Sequence, residues 1–281
     1  MNFARSKFLL KERSSMNNEW QSIVKQNLNN VREKHPLVHN ITNFVVMNSS
    51  ANMLLAQGAF PVMAHAINEV EDMVSIANAL VINIGTLTDE WVESMILAGK
   101  AANSKGIPVV LDPVGSGATP LRTEACKRIL NEVDITVIRG NASEINSLVN
   151  QAGKTRGVDS IHGVDDVAGG ANFLALERKA IVAVSGEKDL ITDGTRSVRI
   201  CNGVPMMSMI TGTGCGLSAT VAAYVGANDN VFEATVSAFS VFCLVGEMAK
   251  ADSKGPGSFE VAFMDALYNI SEKEIKKADI R

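Results

Sequence analysis

The chain has 281 residues, 46% of them hydrophobic and 20% charged, an ordinary globular composition that excludes disorder as its main state. Its 26 Lys and Arg against 30 Asp and Glu give a formal net charge of −4, so no basic excess is available to grip a nucleic-acid backbone. Four widely spaced cysteines (Cys126, Cys201, Cys215, Cys243) without a Cys-x-x-Cys pair suit a reducing cytoplasm rather than a disulfide framework.

In chain order, residues 1–16 read as a loose extension ahead of a single domain at 17–281, with Met16 as a second candidate start. Cations lie on both sides of Phe8-Leu9-Leu10, and neither the long apolar core nor the small-residue cleavage site of a secretory signal is present. His39-Asn40-Ile41-Thr42-Asn43 is a polar cluster ahead of an Asn- and Met-rich apolar stretch, in which Met47, Met53 and Met63 suit core filling. Short apolar runs at 79–84, 108–111, 135–138 and 180–184 predict buried strands. Amphipathic stretches at 89–104, 121–132, 142–151 and 164–177 predict helices, the first capped by Thr88 or Asp89. Asp193-Gly194 is a hairpin signal between 190–192 and 197–198. Two long apolar stretches, 215–226 and 231–249, follow; the most apolar part, 234–246 between Glu233 and Glu247, is shorter than the roughly 18 residues of a membrane-spanning helix. Apolar strands alternating with helices predict a three-layer α/β/α fold with a mostly parallel sheet covered on both faces.

In open α/β sheets ligands bind beyond the carboxyl ends of the strands. Those ends carry Gly85-Thr86, Asp112-Pro113-Val114-Gly115-Ser116-Gly117, Arg139-Gly140-Asn141 and Ser185-Gly186-Glu187, a polar rim on an apolar sheet. Thr211-Gly212-Thr213-Gly214-Cys215-Gly216 then runs into an apolar helix. Glycines admit close approach of backbone N–H groups to an anion, and a helix N-terminus adds partial positive charge, so Gly212, Thr213 and Gly214 predict an anion hole. The same field is expected to lower the thiol pKa of Cys215. A tight loop around a packed cysteine is the plainer reading of that turn. Asp112 and Glu144 offer the hard oxygen ligands that suit Mg²⁺. Glu144 equally suits a capping box with Asn141, three residues before it, and Asp112 ahead of Pro113 equally suits a turn.

Other machinery is missing. There is no Walker A string, and Gly115-Ser116-Gly117 runs into Ala118-Thr119-Pro120 where a dinucleotide fingerprint needs its third glycine. His35, His39, His65 and His162 show no paired metal spacing, and no Gly-x-Ser-x-Gly elbow is present.

Six strings in order resemble hydroxyethylthiazole kinases, thiamine-salvage enzymes of the ribokinase-like superfamily. They are His-Asn-Ile-Thr-Asn at 39–43, Pro-Val-Met-Ala-His-Ala at 61–66, Leu-Asp-Pro-Val-Gly at 111–115, Val-Ile-Arg-Gly-Asn-Ala-Ser-Glu at 137–144, Val-Ser-Gly at 184–186 and Thr-Gly-Thr-Gly-Cys at 211–215. The resemblance covers about residues 31–267. It implies ATP-dependent phosphorylation of the hydroxyl of 4-methyl-5-(2-hydroxyethyl)thiazole. It further implies that Met63, Gly212 and Asn40 meet the thiazole, that Arg139 and Ser185 bind ATP, and that Asp112 and Glu144 handle Mg²⁺. Cys215 stands where the wider superfamily usually has an Asp base, and a homotrimer with thiazole sites between subunits is implied as well. The competing expectations are a ribokinase-like kinase for a hydroxymethylpyrimidine or a sugar, and a nucleotide-binding regulator without turnover; the latter is expected to lack Arg139, Glu144 or the glycine loop.

Overall fold

The computed structural model describes residues 2–152 and 163–281, with side chains from Asn17 onward; His162 lies outside the described residues. Among the described residues eight strands form one sheet: β1 (Leu37–Ile41), β2 (Phe60–Val62), β3 (Ala79–Asn83), β4 (Val109–Asp112), β5 (Val137–Asn141), β6 (Ile181–Ser185), β7 (Asp189–Thr192) and β8 (Ser197–Ile200). Their order is β2-β1-β3-β4-β5-β6-β7-β8, parallel as far as β6 and antiparallel for the last two pairs. The reversal at β7–β8 uses Asp193-Gly194: Gly194 takes φ 90°, and Asp193 Oδ1 accepts from the amides of Thr195 and Arg196.

The helices are α1 (Asn2–Lys34), α2 (Met47–Gln57), α3 (Val70–Ile76), α4 (Asp89–Lys105), α5 (Pro120–Glu132), α6 (Ala142–Gln151), α7 (Val164–Arg178), α8 (Thr213–Ala227), α9 (Val231–Ala251), α10 (Pro256–Asn269) and α11 (Glu272–Ile275). Side chains alternate across a strand, and this alternation divides the core in two. Leu80, Ile82, Leu111, Ile138 and Val182 pack with α3–α7 on one face. Val81, Val110, Val137 and Ala183 pack with α1, α2, α8, α9 and α10 on the other. The three-layer α/β/α arrangement thus follows from strands that bury apolar side chains on both faces.

The elements expected at 79–84, 108–111, 135–138 and 180–184 are β3 to β6, shifted by up to three residues. Thr88, not Asp89, caps α4, accepting from Trp91 N at 3.3 Å. β1 and β2 were not anticipated: the 39–43 cluster lies mostly inside a central strand, where His39 Nε2 bonds Ala64 O at 2.8 Å. The backbone of residues 2–16, set aside above as an extension, continues α1. α9 is also longer than its most apolar part suggests, and by length and composition it would cross a membrane. Its side chains are instead mostly buried, with Phe239 and Phe242 sealed in a core shared with α1, α8 and α10.

Both sheet edges are closed to further pairing. At one, β2 is three residues long and contains Pro61, which lacks a donor. At the other, residues 279–281 lie along β8: Arg199 N donates to Arg281 O at 2.7 Å, and Arg281 N returns a bond to Arg199 O at 2.9 Å. Asn17 of α1 holds this tail, donating to Ala278 O at 3.0 Å and accepting from Ile280 N at 3.1 Å.

Candidate active site

The strand alternation that fills the core with Val81, Val110, Val137 and Ala183 places Asn83, Asp112, Arg139 and Ser185 two residues later on the same face. Four polar side chains therefore meet at the carboxyl ends of β3–β6, where α8 begins. Asp112 is sealed from solvent. Its Oδ2 accepts from Ser218 Oγ at 2.7 Å and Asn83 Nδ2 at 2.9 Å, and faces Arg139 Nη1 at 3.7 Å. Burial pushes its pKa up to about 6, with Glu144 adding to the rise against the pull of Arg139. Asp112 serves both expectations made of its position: its carbonyl accepts from Val114 N at 2.9 Å in the turn after β4, while its carboxyl belongs to this cluster.

Arg139 donates through Nη2 to Ser185 Oγ at 2.7 Å, while its buried Nε has no partner. A Cβ on Gly214 would stand 2.9 Å from Arg139 Nη1, so the glycine loop rests directly on the guanidinium. Gly212, the N-cap of α8, has φ 87°, and its carbonyl accepts from Gly216 N at 2.8 Å to close the first turn. The amides of Thr213, Gly214 and Cys215 stand at the start of α8, where no preceding helical turn supplies acceptors. Thr213 Oγ donates to Met207 O at 2.8 Å, anchoring the loop. Beside it opens a cavity of about 440 Å³, walled by Val204, Met207, Leu217 and Phe242 and floored by Arg139 and Asp189. Asp189 accepts from Gly186 N at 2.9 Å and from the Cys243 thiol at 3.2 Å, and burial raises its pKa to about 6.

Cys215 lies on the first turn of α8, within 3.5 Å of Asn43 Nδ2. Its pKa does not fall as the helix position suggested. Burial, followed by the charge of Asp112, pushes it up to about 11, outweighing the donors from Asn83 and Asn43. The helix field is a fraction of a charge, whereas Asp112 is a whole one in a desolvated site.

Glu144 forms the capping box: Oε2 accepts from Asn141 N at 2.8 Å, and Asn141 Oδ1 accepts from Glu144 N at 3.0 Å. Its other oxygen accepts from Gly115 N at 2.9 Å, fixing the loop after β4. Capping does not remove Glu144 from the rim, since its charge is felt at Asp112.

Met63 follows β2, three strands away from Asp112, and is half-buried. Asn40 is buried in β1; its Nδ2 donates to Val38 O at 2.9 Å and its Oδ1 has no partner. The structure thus assembles Asp112, Arg139, Ser185, Cys215 and the 212–214 loop, with Glu144 next to them and Met63 apart. Among the described residues no group of three or more His, Cys, Asp or Glu is placed to hold a metal. Sequence reasoning named Asn43 and Cys243 without giving them a place in the site, and missed Asn83, Ser218 and Asp189. Asn83 had a signal: it is the one polar residue in the run Ala79-Leu80-Val81-Ile82-Asn83-Ile84.

A largely parallel sheet with a glycine loop at its carboxyl rim is the ribokinase-like arrangement. Pyridoxal kinase from Staphylococcus aureus in complex with ADP shares this fold, with a TM-score of 0.60 and 18% identity over 76% of this chain and 88% of its own. The Hydroxyethylthiazole kinase family matches residues 28–273. Proteins named hydroxyethylthiazole kinase from Thermoanaerobacter sp. (strain X514) and Desulfotalea psychrophila are 55% and 52% identical, each over 90% of this chain and over 97% and 92% of their own lengths. The structure of hydroxyethylthiazole kinase protein from Pyrococcus horikoshii superimposes with a TM-score of 0.86 and 43% identity over 92% of this chain and 98% of that one. The chain belongs to the hydroxyethylthiazole kinase family and is a kinase.

Proposed function

We propose that the chain transfers the terminal phosphoryl group of ATP to the primary hydroxyl of 4-methyl-5-(2-hydroxyethyl)thiazole, forming the thiazole phosphate in thiamine salvage. The observation that carries this reading is the Arg139 guanidinium seated beneath Gly214 at the start of α8. Backbone donors, the helix N-terminus and a fixed cation converge there on one anion-sized position. Phosphoryl transfer requires that combination, because it proceeds chiefly by positioning and charge stabilisation.

Arg139 and Ser185 serve the phosphates, and the amides of Gly212, Thr213 and Gly214 neutralise charge developing on the transferred group. The apolar cavity beside them suits a flat base. Asn40, Met63 and Gly212 make the thiazole side, and Cys215 receives the hydroxyl proton. Exposed Phe44, packed against His65 two residues after Met63, and exposed Ile67, four residues after it, support a homotrimer whose thiazole sites lie between subunits. The spaced free cysteines support the cytoplasm as its location.

Asp112 and Glu144 fit a hydrated Mg²⁺. The charge of Glu144 is felt at the buried Asp112 carboxyl, and each Glu144 oxygen that holds one backbone amide retains a further lone pair. Held by these two residues, such an ion would supply charge neutralisation for the phosphates. Glu144→Gln keeps one acceptor, enough for the capping box or for Gly115 N but not for both, so a loss of about 1 kcal/mol in stability is expected from the amide left facing a donor. In the folded variant the Mg²⁺ concentration for half-maximal turnover is expected to rise about tenfold; an unchanged requirement would leave Glu144 a cap alone. The reading as a whole is tested by incubating the protein with ATP, Mg²⁺ and the thiazole alcohol and following ADP and thiazole phosphate. Equal amounts of both products are expected, and absence of thiazole phosphate overturns the assignment.

A further inference from the structure

We propose that Asn83 is a positioning residue for the transfer, acting through Asp112 and, by way of Asn43, through Cys215; the inference rests on the reading of this rim as the transfer site. Asn83 is 1% exposed and ends an otherwise apolar strand, in register with Asp112 on β4. A buried amide needs partners, and the partners of this one dictate which way it points. Gly85 N donates to Asn83 Oδ1 at 3.0 Å, and a backbone N–H cannot accept, so Oδ1 must face it. Nδ2 is thereby turned toward Asp112 Oδ2, to which it donates at 2.9 Å.

Asn43 is oriented in the same manner. Val45 N donates to its Oδ1 at 3.1 Å, so its Nδ2 faces Asn83 Oδ1 at 2.9 Å and Cys215 Sγ at 3.5 Å. Two backbone amides therefore set two side-chain amides, which set the carboxyl and the thiol of the rim. Flipping either amide would oppose donor to donor. The close fit also requires glycine at 85, where a Cβ would stand 2.5 Å from Asn43 Nδ2. Ser218 and Arg139 meet the same Asp112 oxygen, so Asn83 completes the set that fixes the carboxyl in one orientation.

The test is Asn83→Asp, which keeps the shape and the acceptor for Gly85 but places an oxygen where the donor stood; it is assayed up to pH 9, because at lower pH a proton shared with Asp112 restores a donor, and Asn83→Ser decides where the two variants disagree. Displacing a reacting group by about 1 Å costs on the order of 10²-fold. kcat of Asn83→Asp is expected to fall by about 10²-fold, with KM for ATP and for the thiazole alcohol within about threefold of wild type. In a Cys215→Ala background the same change is expected to cost at least fivefold less, because one of the groups it positions is gone. Asn83→Ser, which is too short to reach Asp112 and adds no charge, is measured beside it and is expected to show the same kcat loss should the Asp variant not fold. A folded variant with kcat within threefold of wild type, or a loss confined to KM, overturns the inference while wild-type turnover leaves the assignment standing. A wild type inactive on the thiazole alcohol overturns both.

Discussion

Arg139→Ala lowers turnover about 10³-fold at saturating ATP, the loss expected when a guanidinium that neutralises transferring phosphate is removed. The geometry makes the loss specific, because the fork is already held by Ser185 and lies against Gly214, so no reorganisation is needed when phosphate arrives. Stability falls less than breaking a buried ion pair would imply. Asp112, relieved of the cation that holds its pKa down, takes up a proton near neutral pH and is no longer a buried charge. Arg139→Lys keeps the charge but not the fork, and an intermediate rate is expected. Turnover and thermal midpoint measured together decide the matter: an Ala variant that keeps more than a tenth of wild-type turnover makes Arg139 a structural partner of Asp112 and Ser185.

Substitution of Cys215 has the next largest effect, and its size depends on pH. With the thiol pushed up to about 11, only about one molecule in 10⁴ carries the thiolate at pH 7. If the thiolate takes the hydroxyl proton, wild-type kcat climbs throughout pH 6 to 9 without reaching a plateau. Cys215→Asp supplies a carboxylate that is ionised over much of that range, so it stays active with a flatter basic limb. Placed beside Asp112, it will hold its own proton to a higher pH than a free Asp does. Cys215→Ala loses the acceptor and is expected to be slower by roughly 10²-fold or more. Rates are compared across that range with binding of both substrates checked separately. An Ala variant that equals wild type at every pH reduces Cys215 to packing.

The parts of the site legible in the sequence are those whose meaning is local. Asp112, Arg139 and Ser185 stand at the ends of apolar strands, and a polar residue there points to the rim whatever the rest of the chain does. β3 to β6 were readable for the same reason, as unbroken apolar runs. β1 was not, because His39 and Asn40 occupy buried positions where periodicity expects apolar side chains. His39 is kept there by the Ala64 carbonyl, and burial holds its pKa below the ordinary value. What remained hidden depends on which strands are neighbours. Asn83 and Asp112 are 29 residues apart in sequence and meet only through parallel register. The raised pKa of Cys215 likewise follows from the approach of Asp112, which no local pattern carries.

The tail along β8 bears on how the chain comes to be folded. Asn17 and Ile280 bond across 263 residues of sequence, and contacts of such separation carry the greatest loop-closure entropy. Until the sheet between them has condensed, nothing brings the two segments close together. The clasp between α1 and the tail is therefore expected to form late, after the rate-limiting step. Interactions made after that barrier leave the folding rate alone and slow escape from the native state. Asn17→Ala is accordingly expected to speed unfolding without slowing folding, which would make the closed β8 edge a kinetic fastener that sets how long the folded chain persists more than how quickly it forms.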